Sequence, residues 1–276
     1  MAVQSHWFSV GSVVPWVRAG VGAVATQSIP VPGGGARLLA LLEEMAARDA
    51  LRLLMADDDE RGVRQVGVVD ARGEAAAYTG AGCIAHAGDA TDAGFSCQAN
   101  MMASPEVWGA MAAAFEAAPG RLAERLVAAL EAGEAAGGDV RGRQSAAVVV
   151  VPAQGEAHER SVDLRVEDHP DPVRELWRLL VLHRAYELAG DADELAAQGR
   201  HAEAGAHYER AAELAPGNDE LLFWAGLAAV REGKRDEGLA RVRKAIDANP
   251  GWRELLPRLS AEIAPAAVAV REALDL

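Results

Sequence analysis

A chain of 276 residues, half of them hydrophobic, can build two domains and a sizeable core without disulfide or metal staples. With 27 basic against 41 acidic residues the net charge is −14 and no basic face forms, which excludes nucleic acid and anionic membranes as partners. Two cysteines, Cys83 and Cys97, lack any metal-ligand spacing and fit a reduced, cytoplasmic protein, and no apolar run approaches the ~18 residues of a membrane span.

The opening residues lack a basic segment and a continuous apolar core, so they do not read as a secretory signal. Residues 3 to 14 alternate loosely, as a strand does. A turn is expected around Pro15 to Gly20, and a second strand over residues 21 to 26. Gly20-Val21-Gly22-Ala23-Val24-Ala25 formally matches GxGxxA, but a dinucleotide fingerprint must open a helix, and Ile29-Pro30-Val31-Pro32 forbids one there. Gly33-Gly34-Gly35 then leads into a helix expected over residues 36 to 55, with Leu38, Leu42 and Met45 on one face. Asp57-Asp58-Asp59-Glu60 lacks the spacing of a calcium loop and reads as solvated surface. Residues 63 to 70 and 74 to 79 form a hairpin through Ala71-Arg72-Gly73. Residues 82 to 86 suggest a further short strand, followed by a polar, glycine-spotted stretch to Asn100. Gln98 and Asn100 lie two apart among apolar neighbours, on one side of an extended chain. A buried amide needs partners, so each either locks a loop or faces a ligand.

Ser104-Pro105-Glu106 supplies a cap, a first-turn proline and a first-turn acid for a helix that buries Trp108, Met111 and Phe115. A second helix carries Leu122, Leu126 and Leu130 and ends near Gly133. Next comes Ala136-Gly137-Gly138-Asp139-Val140-Arg141-Gly142-Arg143-Gln144-Ser145-Ala146-Ala147, running into Val148-Val149-Val150-Val151, a strand buried on both faces. Polar side chains at the mouth of a buried strand are held rigidly, as a site requires. Asp139 and Arg141 can equally pair with each other and fix a tight loop. A one-face-exposed strand over residues 161 to 166 precedes Asp168-His169-Pro170-Asp171-Pro172, which caps a helix to about Tyr186. GxSxG is absent, which argues against a Ser-His-Asp hydrolase. Runs of strands with helix pairs between them predict stacked sheet and helix layers in an α+β fold.

From Leu188 the strand pattern gives way to a 34-residue period. Gly199 recurs as Gly233, Glu203 as Glu237, Ala211 as Ala245 and Pro216 as Pro250. This resembles the tetratricopeptide repeat, with Gly226 at a small helix position and flanking helices capping the stack. Such a tail engages a protein partner, packs on the first domain or makes a homodimer. The expected domains are therefore 1–187 and 188–276.

The first part of the chain resembles the bacterial family called domain of unknown function 1028. The resemblance is carried by Val3-Gln4-Ser5, residues 10 to 16 and 18 to 27, residues 64 to 70, Gln98-Ala99-Asn100-Met101, residues 137 to 147, and Asp163-Leu164-Arg165-Val166 with Asp168-His169-Pro170-Asp171-Pro172. It implies an N-terminal-nucleophile hydrolase fold, a four-layer αββα sandwich whose first residue, Thr, Ser or Cys, attacks an amide with its own amine as base. The family opens with a strand beginning Met-Thr-Phe-Ser, which has no counterpart here, and removal of Met1 would expose Ala2. The expectation is thus a nucleophile on a strand of about 15 residues with its turn, upstream of Met1, or else a truncated fold kept for binding. On this resemblance Asn100, Asp139 and Arg141 are the catalytic candidates, and Gln98, Gln144, Ser145 and His6 the substrate-binding ones. The substrate is a small-molecule amide, and no metal or organic cofactor is implied. The alternative is a non-catalytic scaffold that engages a partner through the helical repeats.

Overall fold

The computed structural model describes residues 1–30 and 32–276; Val31, in the proline-flanked segment, lies outside the described residues. The chain divides into two compact units, Met1–Leu180 and Val181–Leu276. The first is sheet-rich and the second helical, so the fold is α+β followed by an all-helical tail.

In the N-terminal unit, β1 (Ala2–Ser5), β8 (Ser145–Val150) and β9 (Val162–Val166) form one antiparallel sheet in the order β1-β8-β9. A second sheet runs β2 (Pro15–Arg18), β3 (Gly22–Ser28), β4 (Arg64–Asp70) and β5 (Ala75–Thr79) in sequence order, and β6 (Gly88–Asp92) with β7 (Phe95–Ala99) makes a two-stranded sheet. Period-2 alternation sorts each strand between faces. Val24, Val66 and Val68 pack against α1 (Gly34–Leu41) and α2 (Ala47–Ala56) through Leu38, Leu51 and Leu54. Ala25, on the opposite face of β3, shares a small cluster with Val10, Val14, Met1 and Val3. Ala146, Val148, Val162 and Val166 pack against α4 (Leu122–Ala135) and the start of α5 (Pro172–Ala197). The valine run does make a central, buried strand, because β8 has β1 on one side and β9 on the other.

Several expectations are corrected. The first strand stops at Ser5, since Ser9 takes a left-handed conformation and the chain turns into a 3₁₀ turn, Val10–Ser12. There Gly11 lies so close to Ala147 that a Cβ would sit 2.6 Å from its methyl. The supposed turn after Pro15 is β2, an edge strand, where a proline's missing N–H is harmless. The long helix is broken at residues 42–46: a straight 20-residue helix spans about 30 Å, whereas a seven-residue strand offers about 23 Å of sheet to cover. Residues 82–86 form no strand; the polar residues of β6 carry it instead. Asp58 is no surface acid, for it pairs with the buried Arg64 at 2.8 Å. On α4 the buried stripe is Ala123, Val127 and Leu130, with Leu122 exposed. Ser104 Oγ does accept the Glu106 N–H, yet α3 begins only at Val107 and runs to Ala117. The helix does not stop at Tyr186: α5 runs on through Gly190 to Ala197.

In the C-terminal unit, α6 (His201–Leu214), α7 (Asp219–Arg231) and α8 (Arg235–Ala248) stack in the order the 34-residue period implies. Gly226 and Gly238 face each other: a Cβ on Gly238 would lie 2.5 Å from the Gly226 carbonyl oxygen. Phe223 stacks on Trp252 at 4.5 Å between ring centroids, and the Trp252 indole N–H donates to Asp219. Gly199 and Gly233 each hold a positive φ just past a helix end. Among the described residues no helix is long and apolar enough to cross a membrane.

Candidate functional site

The N-terminal unit contains a cavity of about 330 Å³. Four predicted residues, Gln98, Asn100, Asp139 and Arg141, line it together with Gln4, Ser5 and Gln27. Valine and methionine side chains, among them Val3, Val13, Met101 and Met111, supply much of its apolar lining.

An amide network fixes one wall. Gln65, fully buried on β4, donates its NH₂ to the main-chain oxygens of Ala99 (2.9 Å) and Gly88 (3.2 Å) and to Thr79 Oγ1. Its Oε1 accepts from Gln27 Nε2 at 2.9 Å and from Asn100 Nδ2 at 3.0 Å. Gln98 in turn donates to Gln27 Oε1 at 3.4 Å and accepts from Ser96 Oγ at 2.8 Å. Gly67, opposite on β4, leaves room for Gln98, whose amide would overlap any Cβ there. Gln98 and Asn100 therefore lock strands to one another and also border the cavity.

At one end of the cavity the loop after α4 crosses between two elements. Val140 N–H donates to the Met101 carbonyl, and Asp139 bridges to Met102. Asp139 Oδ1 accepts from the Arg141 backbone N–H and Nε, and Oδ2 from Arg141 Nη2 (2.7 Å) and the His6 backbone N–H (3.3 Å). The pair thus ties the end of β1 to the segment after β7. Burial pushes the Asp139 carboxyl up, but the guanidinium and the two backbone N–H groups outweigh it and hold the group below the usual carboxylate range. With four hydrogen bonds accepted, Asp139 takes a proton only by giving one up. Arg141 also reaches Ser5 Oγ at 3.4 Å.

The other predicted residues serve elsewhere. Ser145 is fully buried, donates to the Trp7 carbonyl at 2.5 Å and accepts from Val10 N–H, so it anchors the turn after β1. Gln144 points to Asp168 at 3.3 Å. The His6 ring is exposed, with Nδ1 3.4 Å from the Arg143 carbonyl. None of these three lines the cavity. Sequence reasoning passed over Gln4, Gln27, Gln65 and Glu134. A polar residue inside a β-branched run, such as Gln65 before Val66-Gly67-Val68-Val69, was the available signal. Glu134 also lines the cavity, beside Arg143; burial raises its carboxyl above the usual range against the pull of that arginine, and Asp139 and Asp171 add to the rise. Among the described residues no three His, Cys, Asp or Glu side chains cluster as metal ligands.

The comparisons with known proteins agree with this division of the chain. Residues 195–263 match the tetratricopeptide repeat. No curated protein matches the chain. Among solved structures, protein SPO2555 from Silicibacter pomeroyi, itself of DUF1028 type, is 31% identical with a TM-score of 0.58, covering 65% of this chain and 80% of that one. Residues 1–176, well over half of the sequence and all of the cavity wall, match a family described as of unknown function, DUF1028, and the chain belongs to that family.

Proposed function

We propose that the N-terminal unit is an N-terminal-nucleophile hydrolase acting on a small amide, whose attacking residue lies on one further strand outside the given sequence. One observation carries this reading. The cavity touches all four residues of β1, Ala2 to Ser5, and the consecutive run Ser96 to Met102 of β7 and its extension. Successive strand residues point to opposite faces, so a cavity that meets every one of them runs along the backbone edge. Both strands are sheet edges, in the orders β1-β8-β9 and β6-β7. Edge backbone groups left unpaired along a cavity wall are costly, and a single inserted strand would give both rows partners at once. The result would be one six-stranded sheet, β6-β7-strand-β1-β8-β9. Helices packed on one face of each larger sheet, with Ala25 and Val3 in one cluster on the other side, are compatible with the αββα sandwich.

A strand joined to β1 by a tight hairpin runs antiparallel to it, so its amino end would lie beside Ser5. That is the end closed by Asp139, Arg141 and Asn100. A nucleophilic Thr, Ser or Cys there would use its own amine as base. The remaining N–H of Asn100 and the Arg141 head would face the developing oxyanion or a substrate carboxylate.

The test is a protein extended upstream by its gene's in-frame codons and treated with a covalent amide mimic. The expected adduct, located by mass spectrometry, is on the new N-terminal residue, with new hydrogen-exchange protection in β1 and β7. No adduct, or no added protection, refutes the reading. A second reading, an inactive fold that recruits a partner, draws on the C-terminal unit. A groove of about 330 Å³ there is lined by Asp193, His201, Tyr208, Trp224 and Arg231. A repeat-dependent complex together with an inert extended protein would favour it.

A further inference from the structure

A second groove, of about 780 Å³, lies between α2 and β5, with Thr91 of β6 also in its lining, and shares no lining residue with the cavity described above. It too touches consecutive strand residues, Ala75, Ala76, Ala77 and Tyr78, and so follows the open backbone edge of β5, the last strand of its sheet. The edge carries none of the usual protection: no lysine, no proline and no bulge interrupts Ala-Ala-Ala-Tyr-Thr. Three small side chains in a row also let another backbone approach closely. Every charged residue lining the groove is an arginine: Arg48 and Arg52 on α2, and Arg61 on the turn before β4. Arg52 pairs with Asp49, and the Arg48 backbone N–H is taken by Glu74. Arg61 Nη1 donates to the Asp58 carbonyl and its charge also acts on the Asp58 carboxyl, but among the described residues neither Arg48 nor Arg61 forms an ion pair at contact distance, although the chain carries a net charge of −14.

We infer that this groove binds an extended acidic peptide, which adds a strand to β5 while its carboxylates meet Arg48, Arg52 and Arg61. Main-chain hydrogen bonds to the edge supply affinity, and the arginines select for acidic side chains. Pairing of β5 with β5 of a second copy would bring six arginines together, which disfavours that occupant.

The probe is a fluorescein-labelled octapeptide alternating Glu and Val, titrated with the full chain at low salt and followed by anisotropy. Saturable binding is expected, at least tenfold weaker for the Gln-Val peptide, and weakened further at 0.5 M salt. Arg48→Glu/Arg61→Glu, checked for an unchanged circular dichroism spectrum, should lose binding at least tenfold. A Glu-Val peptide N-methylated along one edge should also fail, since it cannot donate to the β5 carbonyls. Equal binding of the acidic and neutral peptides, or full binding by the double variant, overturns the assignment. So does undiminished binding of the N-methylated peptide, which would leave only diffuse charge attraction. Self-association that the arginine reversals strengthen would assign the edge to a second copy instead.

Discussion

Replacing Asp139 by alanine measures what the pair at the cavity end holds together. The Asp139 side chain is 3% exposed and that of Arg141 37%. Removing the carboxylate frees the guanidinium to turn toward water, so little of the ion pair itself is lost. The loss falls on the backbone N–H groups of His6 and Arg141, both left without an acceptor. Each orphaned donor costs about 1–3 kcal/mol, partly relieved by solvent, for a total of about 3 kcal/mol. At about 2–4 °C per kcal/mol for a domain of this size, Tm should fall by about 6–12 °C. The effect depends on pH in a defined direction. The folded-state pKa of Asp139 lies below its unfolded value, so its stabilisation is complete above about pH 4 and is lost as pH falls through the lowered folded value. Urea denaturation of the native chain and of Asp139→Ala at pH 7 and pH 3 should therefore show a gap of about 3 kcal/mol that narrows in acid. A Tm within about 1 °C of the native chain at pH 7, or a gap equally wide at pH 3, would refute the assignment of these hydrogen bonds.

Gln65→Leu removes five hydrogen bonds from the interior and takes an acceptor from the Asn100 and Gln27 NH₂ groups, so a loss of about 3 kcal/mol is expected in the urea-derived stability, and an unchanged midpoint would contradict the network. Gly238→Ala drives a methyl into the Gly226 carbonyl and should lower the helical melt followed at 222 nm by about 1–3 kcal/mol. Gly217→Ala, with nothing within 4 Å of its new methyl, should leave that melt nearly unmoved. Burial pushes the Cys97 thiol up to about 11, whereas Cys83 is only half-buried. A disulfide-exchange reagent at pH 8 should label Cys83 first and Cys97 only on unfolding, and equal rates would contradict the burial.

The readable parts of the sequence were those in which one period or one turn dominates. The hairpin of β4 and β5 follows from alternation and Ala71-Arg72-Gly73, and the helical repeat from identities 34 residues apart. The buried β8 announces itself by unbroken valines. Errors arose where tertiary contact decides. Nothing local marks the break between α1 and α2, because the extent of the sheet beneath them sets it. β6, Gly-Asp-Ala-Thr-Asp, has no apolar alternation and is a strand only because β7 pairs with it. At the site, Asp139 with Arg141, and Gln98 with Asn100, could be nominated from polar residues in apolar company. Ser145 met the same criterion, yet its hydroxyl is spent on the Trp7 carbonyl and the Val10 N–H. Only the fold tells an amide that borders a cavity from a hydroxyl that ties down a turn.

The glutamine network imposes a direction on the cavity wall. Two main-chain carbonyls, of Gly88 and Ala99, can only accept, so the Gln65 NH₂ must face them and its oxygen must face Gln27 and Asn100. Those two residues are then obliged to spend an N–H inward, which turns the Asn100 carbonyl oxygen and one remaining N–H to the cavity side. Which chemical groups a bound molecule must offer at that wall is consequently dictated by the Gly88 and Ala99 peptide units, through a relay of side chains none of which can flip alone.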